Sequence, residues 1–207
     1  YFMMKTLGCP FILFSDPRLE GGAFYLGTDE LEGKVKETIA HYLDYLGFDR
    51  KDLILSGLSM GTFPALYYGA SFEPHAIIVG KPLANLGTIA SRGRLASPRV
   101  FPTSFDVLKH QTGGVSLNHM LELDQRFWKV FKQANFSKTT FGLSYMKDED
   151  MDPQAYENLV TYLCNTGAKI LSKGTAGRHN DDTDTNIAWF LHFYRMVLAS
   201  GFGREKE

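Results

Sequence analysis

The chain has 207 residues, 44% hydrophobic and 22% charged, which suits an ordinary folded domain with a sizeable core. Its 22 basic residues against 23 acidic ones leave a formal net charge of −1. That balance excludes nucleic-acid binding driven by charge, which needs a basic surface, and disorder, which needs low hydrophobicity and a large net charge.

Phe11-Ile-Leu-Phe14 is a short apolar run between Pro10 and the Asp16-Pro17 turn, and predicts a buried strand. A Gly-rich turn, Gly21-Gly22-Ala23-Phe24, follows. Thr28 or Asp29 then caps a helix to about Leu46, with apolar positions at Leu31, Val35, Ile39, Tyr42, Leu43 and Leu46. Gly47 stops it. Leu53–Leu55 predicts the next strand, Thr62–Ala70 a helix of small residues, and Ala76–Val79 another strand. Residues 83–137 are less regular, with Gly87, Gly93, Pro98, Pro102 and Gly113-Gly114 ahead of a helix near Leu117–Ala134. This segment is a candidate lid. Thr139–Tyr145 predicts a strand. Asp152-Pro153 predicts a helix start, Asp as N-cap and Pro in the first turn, with the helix ending near Gly167. Ala168–Leu171 is the last short strand, and a polar loop leads to a C-terminal helix from about Thr183, with Asp181, Asp182 or Thr183 as its cap. Strands alternating with helices imply βαβ units and a mostly parallel sheet with helices on both faces.

Cys9 and Cys164 form no C-x-x-C pair, so neither a disulfide framework nor a structural zinc site is expected, and a reducing compartment fits. No secretory signal is visible. The long apolar stretch 186–202 contains His192 and Arg195, and predicts a packed helix rather than a membrane span.

Leu53-Ile-Leu-Ser-Gly57-Leu58-Ser59-Met60-Gly61 matches G-x-S-x-G directly after a predicted strand and before a predicted helix, the context of a nucleophile elbow. The turn is tight, so small residues are expected two positions either side of Ser59, and Gly57 and Gly61 stand there. The competing hydroxyl, Ser56, lies on the strand and is expected to point into packing. A serine nucleophile needs a base, and the base needs an orienting carboxylate. In hydrolases of this type the acid and then the histidine follow the serine in the chain. Of six histidines, only His179 stands in a loop after the final predicted strand, 120 residues beyond Ser59. The acid is expected in Met146-Lys147-Asp148-Glu149-Asp150-Met151-Asp152-Pro153, where four carboxylates compete. Asp152 is assigned to the helix cap. The register to Pro153 favours Glu149, ahead of Asp148 and Asp150. For the oxyanion, one N–H comes from Met60 and the second from Gly22 or Ala23. Glu20-Gly21-Gly22-Ala23-Phe24-Tyr25-Leu26-Gly27 is similar to the H-G-G-[GA]-F-x-x-G loop of esterases, with Glu20 in place of the histidine. Lys81, Arg178 and Asp16 are weaker candidates for contact with a substrate. No Walker lysine pattern, H-E-x-x-H or paired metal-ligand cluster is present, so no metal or bound cofactor is expected.

Gly21–Gly27, the elbow through Tyr67-Tyr68-Gly69-Ala70, Ile77-Ile-Val-Gly-Lys-Pro-Leu-Ala-Asn-Leu-Gly87 and Gly177-Arg-His-Asn-Asp-Asp-Thr183 together resemble the second accessory secretory protein family of the accessory Sec system. The resemblance runs from about Phe11 to about Phe193. It implies an α/β-hydrolase-like domain that O-acetylates N-acetylglucosamine on serine-rich-repeat adhesins in the cytoplasm, with acetyl-CoA as the acyl donor by analogy. It also implies partnership with other accessory Sec proteins, and places the triad on Ser59, Glu149 and His179. A carbohydrate esterase or carboxylesterase with the same triad is the second reading, and a non-catalytic secretion factor on the same scaffold the third. Only 58 residues precede Ser59, and Tyr1-Phe2-Met3-Met4 is an unusual beginning. The expectation is therefore a single catalytic domain over 1–207, either part of a longer protein or one with a shortened sheet edge.

Overall fold

In the computed structural model, residues 2–19, 22–95, 104–181 and 183–200 are described. Four parallel strands, β1 (Ile54–Leu58), β2 (Ala76–Gly80), β3 (Thr140–Met146) and β4 (Lys169–Thr175), lie in that order across one sheet. The helices are α1 (Phe2–Lys5), α2 (Asp29–Leu46), α3 (Thr62–Phe72), α4 (Leu86–Leu95), α5 (Ser104–Thr112), α6 (Leu117–Phe131), α7 (Ala155–Leu163) and α8 (Thr183–Ala199).

Side-chain alternation along the central strands builds two cores. Ile77, Val79, Phe141 and Leu143 point to one face, where they meet α3 to α7 through Phe63, Leu66, Val107, Leu123, Phe127, Phe131 and Leu159. Ala76 and Ile78 point to the other face, against Phe190, Phe193, Tyr194 and Val197 of α8. β2 is buried along its whole length, as a central parallel strand covered on both faces must be. This is the three-layer α/β-hydrolase-like arrangement expected from the sequence.

The predicted caps of α2 are present. Thr28 Oγ1 accepts the Leu31 N–H, and Gly47 closes the helix in the left-handed region at φ 70°. Three expectations differ. Phe11–Phe14 forms no strand. A strand needs a hydrogen-bonded neighbour, and this four-residue run follows Pro10, which has no N–H to give. Instead Ile12, Leu13 and Phe14 are exposed on the rim of an apolar groove of about 1060 Å³ beside the edge strand β1. The second difference is the start of α7, which begins at Ala155 behind Gln154 rather than at an Asp152 cap. The Asp152 carboxylate turns away to accept from the Ala84 and Asn85 N–H groups and from Asn85 Nδ2, each at 2.8 Å. Third, the stretch ahead of α6, expected to be less regular, contains α4 and α5, and with α6 they form the described part of the segment inserted between β2 and β3, sharing the main core with α3. Pro98, Pro102, Glu20, Gly21 and Asp182 lie outside the described residues.

Candidate active site

The site lies at the carboxyl ends of the strands. β1 runs straight into Ser59, whose φ of 50° is rare for a residue with a side chain. The following turn of 3₁₀-helix, Ser59–Gly61, opens α3. Gly57 is required here, because a Cβ on it would overlap the Gly61 carbonyl. Gly61 is not required in the same way. It has φ −69° and open space where its Cβ would stand. Ser56 Oγ accepts a hydrogen bond from Tyr194 at 2.6 Å and is occupied in packing, as expected.

His179 comes from the connection between β4 and α8, and it is 1% exposed. Its Nε2 lies 2.7 Å from Ser59 Oγ. Its Nδ1 lies 3.0 and 2.9 Å from the two Glu149 carboxylate oxygens. A carboxylate only accepts, so Nδ1 carries the proton, and Nε2 presents its lone pair to the Ser59 hydroxyl. Glu149 is itself held by the Met151 N–H at 2.8 Å. The other acidic residues of the loop have different work. Asp148 accepts from the Gly177 N–H at 3.2 Å, and Asp150 from the His179 N–H at 3.1 Å. Of the four competing carboxylates, the structure brings Glu149 to the imidazole.

The 22–27 loop is braced by side chains. Asp16 Oδ2 accepts the N–H groups of Ala23 at 3.1 Å and Tyr25 at 2.9 Å. Arg18 pairs with both Asp16 oxygens and donates to the Leu26 carbonyl. Gln111 of α5 donates to the Ala23 and Leu26 carbonyls, Tyr68 of α3 to Tyr25, and Arg126 of α6 to Gly27 and Glu32. Burial works against the Asp16 charge. The Arg18 guanidinium and the backbone N–H groups outweigh it and hold the carboxyl well below the usual carboxylate range. Phe24 and Tyr25 both sit at positive φ, 57° and 59°, in this clasp.

Both expected second oxyanion donors are therefore engaged internally. The Gly22 N–H bonds the Leu19 carbonyl at 2.8 Å, and the Ala23 N–H bonds Asp16. Asp16 is committed to the loop and Lys81 is buried, so neither is displayed to a substrate as the sequence suggested. Arg178 stays at the surface beside His179, with its Nε 3.6 Å from Asp181. Sequence reasoning missed Gln111, Arg126 and Tyr68, and offered Asp150 only as a competing acid rather than as the acceptor of the His179 N–H. Their partners lie 29 to 99 residues away, and no local pattern marks them. Among the described residues no group of three or more His, Cys, Asp or Glu could hold a metal ion, and no helix is long and apolar enough to cross a membrane.

Comparison with known proteins places this geometry. The family model described as "Accessory Sec system GspB-transporter" matches residues 1–204. The second accessory secretory protein of the accessory Sec system of Streptococcus gordonii is 56% identical over 204 residues, covering 99% of this chain and 40% of that protein. A solved chain of the Glycosylation Associate Protein (Gap123) complex from Streptococcus agalactiae superposes with a TM-score of 0.93 at 46% identity, covering all of this chain and 40% of that one. The capsule O-acetyltransferase of Neisseria meningitidis serogroup A shares the fold at a TM-score of 0.66 and 20% identity, covering 89% of this chain and 72% of that one. The chain thus spans about 40% of the length of the first two. On the match along nearly its whole length, the chain belongs to the second accessory secretory protein family of the accessory Sec system.

Proposed function

We propose that this chain is a serine acyltransferase that moves an acetyl group from acetyl-CoA to a hydroxyl of N-acetylglucosamine on serine-rich-repeat glycoproteins. In this reading it works in the cytoplasm and supports export of those glycoproteins together with other accessory Sec proteins. The observation that carries the chemistry is the unbroken relay from Ser59 Oγ through His179 to the Glu149 carboxylate. Membership of the accessory Sec family supports the export context, and the relative solved as part of a Gap123 complex supports the partners.

His179 Nε2 takes the Ser59 proton as Oγ attacks the acetyl carbonyl carbon. The carbonyl oxygen becomes an oxyanion, which the Met60 N–H stabilises. Gly22 or Ala23 supplies the second N–H by exchanging its internal acceptor for that oxygen. The carbon–sulfur bond then breaks, the thiolate leaves with the proton from His179, and an acetyl ester remains on Ser59. In the second half, a sugar hydroxyl gives its proton to His179 and attacks the ester, and Ser59 is regenerated. Arg178, exposed beside the base, is placed to meet the donor or the sugar.

A fluorophosphonate probe is expected to label Ser59 in the wild type, with the modified peptide identified by mass spectrometry. Acetyl transfer is expected to fall on the order of 10⁴-fold or more in Ser59→Ala, and about 10⁴-fold in Glu149→Gln, where Nδ1 loses its orienting charge. A wild-type rate in Ser59→Ala sinks the proposal. Incubation with acetyl donor and N-acetylglucosamine glycopeptide is expected to yield acetylated glycopeptide. Acetate alone identifies a carbohydrate esterase or carboxylesterase instead. Absence of Ser59 labelling would leave the non-catalytic secretion factor.

A further inference from the structure

We propose that Lys81 is a positioning residue that sets the height of His179 over Ser59, acting through the backbone and never touching substrate. The inference rests on the triad reading above.

Lys81 directly follows β2. Its neighbour Gly80 pairs with Leu58 on the nucleophile strand and with Ser144 on the strand that leads to Glu149. Lys81 therefore stands on the rim between the two, and its own N–H extends the ladder to the Ser144 carbonyl at 2.7 Å. Its φ is 58°, a left-handed conformation that costs energy for any residue with a Cβ. From this turn the side chain goes inward and is 6% exposed. Nζ donates to the His179 carbonyl at 2.5 Å, the Asp181 carbonyl at 3.3 Å and Thr183 Oγ1 at 3.2 Å. An ammonium has three N–H donors, and among the described residues these three oxygens stand within reach of them. Two of these acceptors belong to the connection that carries His179 into α8, and the third, Thr183, is the first residue of α8.

The base is thus pinned at three points. Asp150 holds its N–H, Lys81 its carbonyl and Glu149 its ring. The ring contact alone fixes orientation but leaves the main chain able to shift. Lys81 supplies the restraint on the side nearest Ser59, from the strand next to it. A displacement of about 1 Å between nucleophile and base costs on the order of 10²-fold in rate. A long cationic side chain suits the place because it crosses from the end of β2 to His179, Asp181 and Thr183 and ends in directed donors. A methionine of similar length fills the space and leaves three oxygens without them.

The test uses the full-length protein. Lys81→Met is expected to label Ser59 with fluorophosphonate about 10–100-fold more slowly, and to lower kcat by the same factor, with KM for the acetyl donor within about twofold. Lys81→Ala is expected to regain part of its rate with added methylammonium, which restores a charged donor. Guanidinium, planar and larger, is expected to give no rescue. If Lys81→Met does not fold, Thr183→Val removes one of the three acceptors and replaces it in the test, with labelling expected about 3–10-fold slower. A wild-type labelling rate in folded Lys81→Met, or in Thr183→Val, overturns the proposal. So does a raised KM with unchanged kcat, which makes Lys81 a substrate contact. Ser59→Ala run in parallel separates the two levels. Activity surviving there removes the triad reading itself, whereas its loss beside an unaffected Lys81→Met removes only the role of Lys81.

Discussion

Glycine in the elbow answers two different demands. At position 57 the missing Cβ makes room for the Gly61 carbonyl, whereas at position 61 there is space for a side chain. Gly57→Ala is therefore expected to destabilise the protein by about 1–3 kcal/mol or more, with Ser59 labelling lost in parallel. Gly61→Ala is expected to stay within about 0.5 kcal/mol of wild type in thermal or denaturant unfolding. Asp16 gives a pH-dependent test. Its pKa in the folded chain lies below its ordinary value of 3.8. Its stabilisation is thus fully present above pH 3.8 and is lost as pH falls toward the lower folded value. The stability gap between wild type and Asp16→Asn is expected to be constant from neutral pH to about 5 and to shrink below 4. A gap that does not change with pH assigns the effect of Asp16 to packing. Residues of this kind mark the limit of reading from sequence. Ser59, Glu149 and His179 were legible because chain order and a proline register constrain them. Lys81 and Asp16 were legible only as charges near the site, since most of their partners are backbone groups that folding brings to them.

Among the elements, α4 and α5 depart furthest from the sequence picture, whereas the helix expected near Leu117–Ala134 is α6. The Gly and Pro residues of 83–137 suggested irregular chain, yet the described part is helical, and α6 carries Leu123, Phe127 and Phe131 at helical spacing into the core. Phe127 stacks on Phe131 and packs against Phe63 of α3, with ring centroids 5.3 and 5.1 Å apart. Phe127→Ala is expected to cost about 3–5 kcal/mol in denaturant unfolding, the range for a buried aromatic, and a cost below about 1 kcal/mol returns α6 to a loosely attached flap. A polar link joins the middle of α6 to the first turn of α4. Asp124 of α6 accepts from the Gly87 N–H at 2.7 Å and from Thr88 Oγ1 at 2.7 Å. Its burial raises the carboxyl to about 6 despite those bonds. The four strands were legible because each is a short β-rich run closed by a turn or a glycine. Phe11–Phe14 has the same local composition, and what it lacks is a partner strand, which no window of sequence reveals. Asp152-Pro153 failed in the same way. The dipeptide reads identically whether the carboxylate caps its own helix or closes a turn 67 residues upstream.

For the molecule as a whole, the three groups of the relay come from the ends of β1, β3 and β4, and the Ser59–His179 contact joins positions 120 residues apart. The loops that follow β3 and β4 are tied to one another by the Gly177 and His179 N–H groups, which donate to Asp148 and Asp150. This bears on the order of assembly during folding. Contacts of such sequence separation form late, after the entropy of closing the intervening chain has been overcome. The competent site is therefore expected to be the last thing the protein makes. On dilution from denaturant, fluorophosphonate labelling of Ser59 is expected to return in the slowest phase, behind the far-ultraviolet circular dichroism signal of the helices. Labelling that returns with the helices would mean that the relay is drawn together before the sheet. If the expected order holds, a newly made chain stays chemically silent until β4 has docked, and its activity reports complete folding.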